Sequence, residues 1–297
     1  MYASALWAVF TLIAAAAQTL RNAMQRELIG ALGAVGAAQV RFLFGLPFAI
    51  VFLVAARLWT GADFPTLSPS TLGWTAFGAL AQIAATSLML AAMRQRSFVV
   101  VVAYTKTEAA QVALYALVFL GQTPTAKLIG AIALATVGVF IASGPGAAQA
   151  VPSWRPAALG LVSASFFALA AIAFRAAVIG VATPSIALAA ATILVAGLAI
   201  QTLVLIGYLA IFDRARIGAI FAVWRASLFA GFMGALASQF WFLAFALTDA
   251  ARVRTLALIE VPFAQVASMR LFREPPSARE WLGMALIVAA AAVLING

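Results

Sequence analysis

The chain has 297 residues, of which 66% are hydrophobic and only 9% are charged; this excludes an ordinary soluble globular protein, which carries about 25% charged residues, and predicts an all-α polytopic membrane protein. The complete lack of Cys and His excludes disulfides, thiolate or imidazole metal ligands and Ser–His nucleophiles, so we predict no enzyme activity, cofactor or metal. The net charge of +10 is interpreted as basic residues in the loops of a membrane protein, and not as a nucleic-acid-binding surface.

Apolar runs separated by Gly, Pro and charged residues predict ten transmembrane helices, each needing about 20 residues to cross the bilayer. The first run is interpreted as a retained helix and not as a cleaved signal peptide, because it has no basic leader. The predicted spans are 4–22, 32–56, 70–92, 97–119, 125–143, 156–178, 185–211, 222–247, 251–272 and 278–295.

The two halves of the chain repeat a pattern of charged residues. Arg21 and Arg175 lie near the ends of the first and sixth predicted spans, and Glu108 and Glu260 lie inside the fourth and ninth, so the Arg-to-Glu interval is 87 residues in one half and 85 in the other. Because five helices are an odd number, a duplicated five-helix unit re-enters the membrane from the opposite side, which predicts two inverted repeats. The predicted divisions are a first repeat at 1–143, a Gly- and Pro-rich linker at 144–154 and a second repeat at 155–297.

Four charged side chains are predicted near the middle of their spans, where a charge costs about 2.5–3.5 kcal/mol unless it is paired or hydrated. They are two cations and two anions, whose charges cancel: Arg41, Lys106, Glu108 and Glu260. We expect Arg41 and Lys106 to hold the carboxylates in a central cavity that binds substrate; ion pairs that only lock helices together are the alternative. Lys106 and Glu108 are about 200° apart around a continuous helix, so Lys106 is expected to reach a neighbouring helix.

A polar and aromatic stripe surrounds Glu108. Its members have the spacing i, i+4, i+7 and i+11 of a single helix face, and they are Tyr104, Glu108, Gln111 and Tyr115. We predict that this stripe lines a water-accessible cavity, with helix–helix hydrogen bonding as the alternative. Further candidates for the cavity wall, from other spans, are Gln82, Gln239 and Trp241.

Two sets of residues, one near the end of each half, carry a family resemblance. The first set is Tyr104-Thr105-Lys106-Thr107-Glu108, Leu120-Gly121-Gln122, Pro124 and Gly130; the second is Glu260-Val261-Pro262, Leu271-Phe272-Arg273-Glu274, Pro276 and Gly283. These residues, with Val40-Arg41-Phe42-Leu43-Phe44, resemble the EamA family of the drug/metabolite transporter superfamily. The resemblance implies a ten-helix carrier that works by alternating access, mostly a bacterial inner-membrane exporter of amino acids and related metabolites. The family usually has an acidic residue after Leu-Gly at this position. The first half has Gln122 there instead, whereas the second half has the acidic residue Glu274.

We therefore predict a secondary transporter that exports an amino acid or related compound. Transport is expected to be driven by a proton or ion gradient, by substrate exchange or by downhill flux. Glu108 and Glu260 are the candidate proton carriers. The alternatives are an importer of a vitamin or other metabolite, a channel or lipid scramblase, and a membrane-embedded enzyme.

The predicted partners are a small-molecule substrate, the lipid bilayer and, for a coupled carrier, protons, in a bacterial inner membrane. Orientation is left open, because Arg residues predominate in the odd-numbered connections and would put both termini outside, whereas the resemblance implies termini inside. The sequence also leaves open whether the protein is a monomer or a homodimer.

Overall fold

Helices account for nearly all of the chain in this computed structural model, which describes residues 2–142, 154–272 and 277–295. Across these ranges thirteen α-helices form and no β-strand does, which confirms the all-α prediction. The predicted linker at 144–154 lies outside the described residues except for Trp154, and so do Arg273, Glu274 and Pro276.

Most helices coincide with a predicted apolar run, and α3, α7 and α8 do so to within one residue at each end. A 3-10 turn at Ala257–Ile259 joins α11 to α12, and a π-helical turn at Ser268–Phe272 follows α12. In chain order the helices are α1 (Tyr2–Leu43), α2 (Leu46–Thr60), α3 (Pro69–Met93), α4 (Phe98–Thr105), α5 (Glu108–Leu120), α6 (Ala126–Ala142), α7 (Arg155–Ile179), α8 (Ile186–Phe212), α9 (Arg214–Ala222), α10 (Trp224–Leu247), α11 (Ala250–Leu256), α12 (Glu260–Ala267) and α13 (Ala278–Ile295).

Five helical segments of the described chain are long and apolar enough to cross a membrane: Ala5–Thr60, Pro69–Met93, Arg155–Ile179, Ile186–Phe212 and Trp224–Leu247. The first of these contains 56 residues, which is room for two crossings of about 20 residues each. Large apolar side chains are exposed around the outside of the bundle, with Leu203 71% and Phe140 67% exposed. Such a surface, together with these segments, fits a membrane protein.

The first helix continues well beyond its predicted end at residue 22. It bends instead at Gly33, whose φ of 66° and ψ of 177° interrupt the helical backbone. A side chain would be strained at that φ, and a Cβ there would also collide with the guanidinium of Arg216. Arg21 therefore lies in the middle of a helix and is fully buried, so the prediction that it ends a span is wrong.

Two helices are interrupted near their centres. Lys106 and Thr107 separate α4 from α5, and the 3-10 turn separates α11 from α12. Pro262 lies in the first turn of α12, where its missing backbone N–H is tolerated but a continuous helix through the turn would lack a hydrogen bond. Both interruptions fall inside apolar runs that were predicted as single spans.

The helices pack in pairs between the two halves of the chain. Helix α1 packs along α10 and α3 along α7, while α2 contacts α8 and α6 packs along α13. The interrupted segments also pair, with α5 against α11 and α4 against α12. Each helix of the first half has a counterpart in the second: α1, α2, α3, α4–α5 and α6 correspond to α7, α8, α10, α11–α12 and α13. Replacing every helix by its counterpart gives the same set of packed pairs.

Candidate functional site

The two helix interruptions bring two carboxylates to equivalent positions. Glu108 is the first residue of α5 and Glu260 is the first residue of α12. Both side chains are almost completely buried, at 1% and 0% exposure. A carboxylate in the first turn is favoured by the free N–H groups and the positive end of the helix dipole.

Lys106 bridges the two carboxylates. Its Nζ lies 2.9 Å from Glu260 Oε2 and 3.4 Å from Glu108 Oε1. Lys106 therefore reaches a neighbouring helix, and it also contacts Glu108, although the two side chains were expected on different faces of one helix. That prediction assumed a continuous helix, whereas the interruption at Lys106 and Thr107 changes the direction of the two side chains.

Glu260 is also held by a hydrogen-bonded chain from two other helices. Gln18 of α1 donates from Nε2 to both Glu260 oxygens, at 3.0 and 2.9 Å. Trp241 of α10 donates from Nε1 to Gln18 Oε1 at 2.9 Å. The indole thus fixes the amide of Gln18 in the orientation that donates to Glu260, and Trp241 belongs to this hydrogen-bonded chain.

Glu108 receives a second cation from α11. Arg254 Nη1 lies 3.6 Å from Glu108 Oε1, and the Arg254 guanidinium carbon lies 4.5 Å from the centre of the Trp241 ring and 5.3 Å from that of Phe245. Arginine in such a position combines an ion pair with cation–π contacts. The ring of Trp241 therefore supports one carboxylate through Gln18 and the other through Arg254.

Arg41 occupies a different place from the predicted one. It donates to Thr86 Oγ1 and to Ser238 Oγ, both at 3.4 Å, and it pairs with neither carboxylate among the described residues. The expectation that Arg41 holds a carboxylate is wrong, because Lys106 and Arg254 already occupy those positions. The expected charge balance is also wrong: the buried cations are Arg21, Arg41, Lys106 and Arg254, against Glu108 and Glu260.

The predicted stripe is divided by the helix interruption. Glu108, Gln111 and Tyr115 share a face of α5, but Tyr104 belongs to α4 and packs against Gly160 of α7. Gln111 donates to Thr107 Oγ1 at 3.4 Å, and the Tyr115 ring lies 6.0 Å from that of Phe119. The three stripe residues other than Glu108 are half-buried, and no hydrogen bond joins them to the Glu108 carboxylate among the described residues.

The predicted cavity-wall residues Gln82 and Gln239 lie outside the charged cluster formed by Lys106, Glu108, Arg254 and Glu260. Gln82 accepts a hydrogen bond from Gln201 Nε2 at 2.8 Å, so it joins α3 to α8. Gln239 is half-buried on α10, and its Oε1 has no hydrogen-bond partner among the described residues. Gln82 thus has the helix-joining contact that the sequence left as an alternative to cavity lining.

Sequence reasoning missed several members of the cluster, namely Gln18, Arg21, Asn22 and Arg254. Gln18, Asn22 and Gln25 follow the spacing i, i+4 and i+7 and are all buried on α1, a polar stripe as clear as the one around Glu108. Arg21 and Arg254 lie close to the ends of the predicted spans 4–22 and 251–272, where basic residues were interpreted as belonging to the loops.

Chemically, the cluster combines two buried carboxylates with several fixed cations and amide donors, a set suited to binding charged groups of a small molecule. Among the described residues no group of three or more Asp or Glu side chains could hold a metal ion.

Comparison with known proteins gives a fold and no function. No protein-family model matches the chain, and no curated protein matches it. A solved crystal structure of another protein is similar over 96% of this chain and 97% of its own, with a TM-score of 0.68 and 16% sequence identity. At that identity the likeness shows a shared fold alone.

Proposed function

We propose that this protein is a secondary transporter of the EamA family, which moves a small organic metabolite across a bacterial inner membrane by alternating access. The observation that carries the proposal is the pair of interrupted helices, each of which presents a buried carboxylate at the start of its second half. Interrupted helices at a site between two repeats are typical of secondary transporters, whose half-helix ends bind charged groups of the substrate or coupling ion.

The proposed architecture has ten transmembrane helices in two inverted five-helix repeats. The inter-half packing supports it, because exchanging corresponding helices leaves the set of packed pairs unchanged. In this arrangement the segment Ala5–Thr60 provides two crossings, and α4–α5 and α11–α12 provide one interrupted crossing each. The cluster of Glu108, Glu260 and Lys106 then lies at the interface between the two repeats, which would move relative to each other during alternating access.

Export of an amino acid or a related compound is the direction and cargo that the family resemblance favours. The cluster supports a charged cargo, since it combines both signs of charge in a site closed to solvent in this conformation. Glu108 and Glu260 are the proposed proton carriers, and the groups that face them are Lys106, Arg254 and Gln18. A channel or scramblase would not need such a closed, ion-paired centre.

Untargeted metabolite profiling of cells and medium tests this proposal. Overexpression of the natural chain is expected to deplete one class of metabolite in the cells and enrich it in the medium, and Glu108→Ala is expected to abolish the difference. Glu280→Ala, which removes a half-buried carboxylate in the first turn of α13, serves as the matched control. A Glu108→Ala profile equal to that of the natural chain would refute the site.

A further inference from the structure

Two further arginines are buried in the cluster, beside the two cations that form ion pairs. Lys106 and Arg254 are matched by Glu108 and Glu260, whereas Arg21 and Arg41, at 0% and 1% exposure, form no ion pair with a carboxylate in the described part of the chain. The buried centre therefore carries two more positive charges than negative ones.

The partners of these arginines are neutral. Arg21 donates to Asn22 Oδ1 from Nε at 3.2 Å and from Nη2 at 2.6 Å, and Arg41 makes its two long hydrogen bonds to Thr86 and Ser238 hydroxyls. Two N–H-bearing atoms, Arg21 Nη1 and Arg41 Nε, have no hydrogen-bond partner among the described residues. A hydroxyl or amide satisfies a donor but leaves the charge of the guanidinium uncompensated.

The two arginines converge on one point of α10. A Cβ placed on Gly234 would lie 3.2 Å from Arg21 Cδ and 3.6 Å from Arg41 Cγ, so both side chains pass over the same glycine. The positive charges of Arg21, Arg41 and Arg254 repel one another, while Glu260 attracts Arg21. The fold thus holds more buried cations than the two carboxylates can balance, which is unfavourable without a further anion.

We infer that the substrate is an organic anion, and that Arg21 and Arg41 bind its carboxylate through donors such as Arg21 Nη1 and Arg41 Nε. The inference rests on the proposed transporter function and names the substrate class of that same site. Guanidinium groups suit this role because their planar N–H donors match the two oxygens of a carboxylate. Of the amino acids and related compounds proposed above, only those with a net negative charge would offset the excess positive charge; a net-neutral zwitterion would leave it in place and a cation would increase it.

Stability without ligand gives the first test. Arg21→Gln and Arg41→Gln remove an unmatched buried charge, so each purified variant is expected to melt a few degrees higher than the natural chain in the same detergent. A purely structural role for the arginines gives the opposite sign. Arg225→Gln, which removes an exposed cation on α10, is the matched control and is expected to leave the melting temperature unchanged.

Ligand binding gives the second test. A small-molecule extract of the host bacteria is separated by ion exchange into anionic, neutral or zwitterionic, and cationic fractions, and each is added to the purified full chain. The anionic fraction is expected to raise the melting temperature, with the half-saturating amount increased about 10- to 100-fold by Arg21→Gln or Arg41→Gln. Arg41→Lys, which keeps the charge but loses the planar donor pair, is expected to bind with an intermediate loss. Sodium chloride and sodium sulfate at equal ionic strength control for inorganic anions.

The outcomes separate this inference from the proposed function. Stabilisation by the neutral or cationic fraction, by no fraction, or equally by sodium sulfate would overturn the anionic substrate, and so would melting temperatures that fall in both Gln variants. If metabolite profiling still showed Glu108-dependent movement of a neutral or cationic compound, the transporter would stand and only its substrate class would change.

Discussion

The two interrupted helices carry the same carboxylate in different surroundings. At α11–α12, Glu260 accepts two hydrogen bonds from Gln18 and lies 2.9 Å from Lys106. At α4–α5, the polar contacts of the Glu108 carboxylate within the described chain are the longer ones with Lys106 and Arg254, at 3.4 and 3.6 Å. The cation also differs in position, since Lys106 lies in the interruption itself and Arg254 lies in the helix before it. The repeated backbone therefore supports an asymmetric pair, in which Glu260 is held tightly and Glu108 loosely.

Lys106→Met is expected to have the largest effect, because one cation serves both interruptions. Its loss leaves Glu260 without an ion pair among the described residues and Glu108 with only the longer Arg254 contact, so the free energy of unfolding should fall by about 3–5 kcal/mol. Unfolding in mixtures of SDS and a mild detergent measures this change.

Neutralising one carboxylate in the Lys106→Met variant sharpens the comparison. Adding Glu260→Gln should recover more stability than adding Glu108→Gln, since the Lys106 contact is shorter at Glu260. Equal recovery would contradict the asymmetry. Lys127→Met, at the half-buried start of α6, is the control and should change stability by less than about 0.5 kcal/mol.

Trp241→Phe is expected to have a smaller effect that is confined to the Glu260 side. The substitution keeps a ring beneath Arg254 but removes the N–H that donates to Gln18, at a cost of about 1 kcal/mol. Transport of the metabolite found by profiling should fall about fivefold. In a chain that already carries Glu260→Gln, Trp241→Phe should cause no further loss of transport. Trp74→Phe, exposed on α3, should transport normally; a loss of similar size there would remove the role assigned to the indole.

The fold was predictable wherever hydrophobicity alone decides the structure. Runs such as 70–92 and 156–178 match α3 and α7 because an apolar stretch between polar ends has one stable conformation in a bilayer. The interruptions at Lys106–Thr107 and Ala257–Ile259 were not predicted, because they are stabilised by side chains from other helices and leave the hydropathy unchanged. The short α9 was missed for a similar reason, since its residues carry no long apolar run.

The candidate site was predictable in its anions and in one cation. Glu108, Glu260 and Lys106 were found because charge deep in a span is rare, and Trp241 was found by its depth. Arg21 and Arg254 were missed because the sequence cannot distinguish an arginine that ends a helix from one that is buried by partners distant in the chain. The placement of Arg41 away from the carboxylates depends on Thr86 and Ser238, which only the packing of α1 against α3 and α10 brings together.

Uptake into proteoliposomes, measured for the metabolite found by profiling with and without a pH gradient, tests the central claim most directly. The natural chain is expected to show saturable uptake that responds to the gradient, Glu260→Gln to reduce it at least about 100-fold, and Glu108→Gln to reduce it less and to abolish the response. Flux that rises linearly with concentration, or uptake and a pH response unchanged in both variants, would contradict a carrier that works through these two carboxylates.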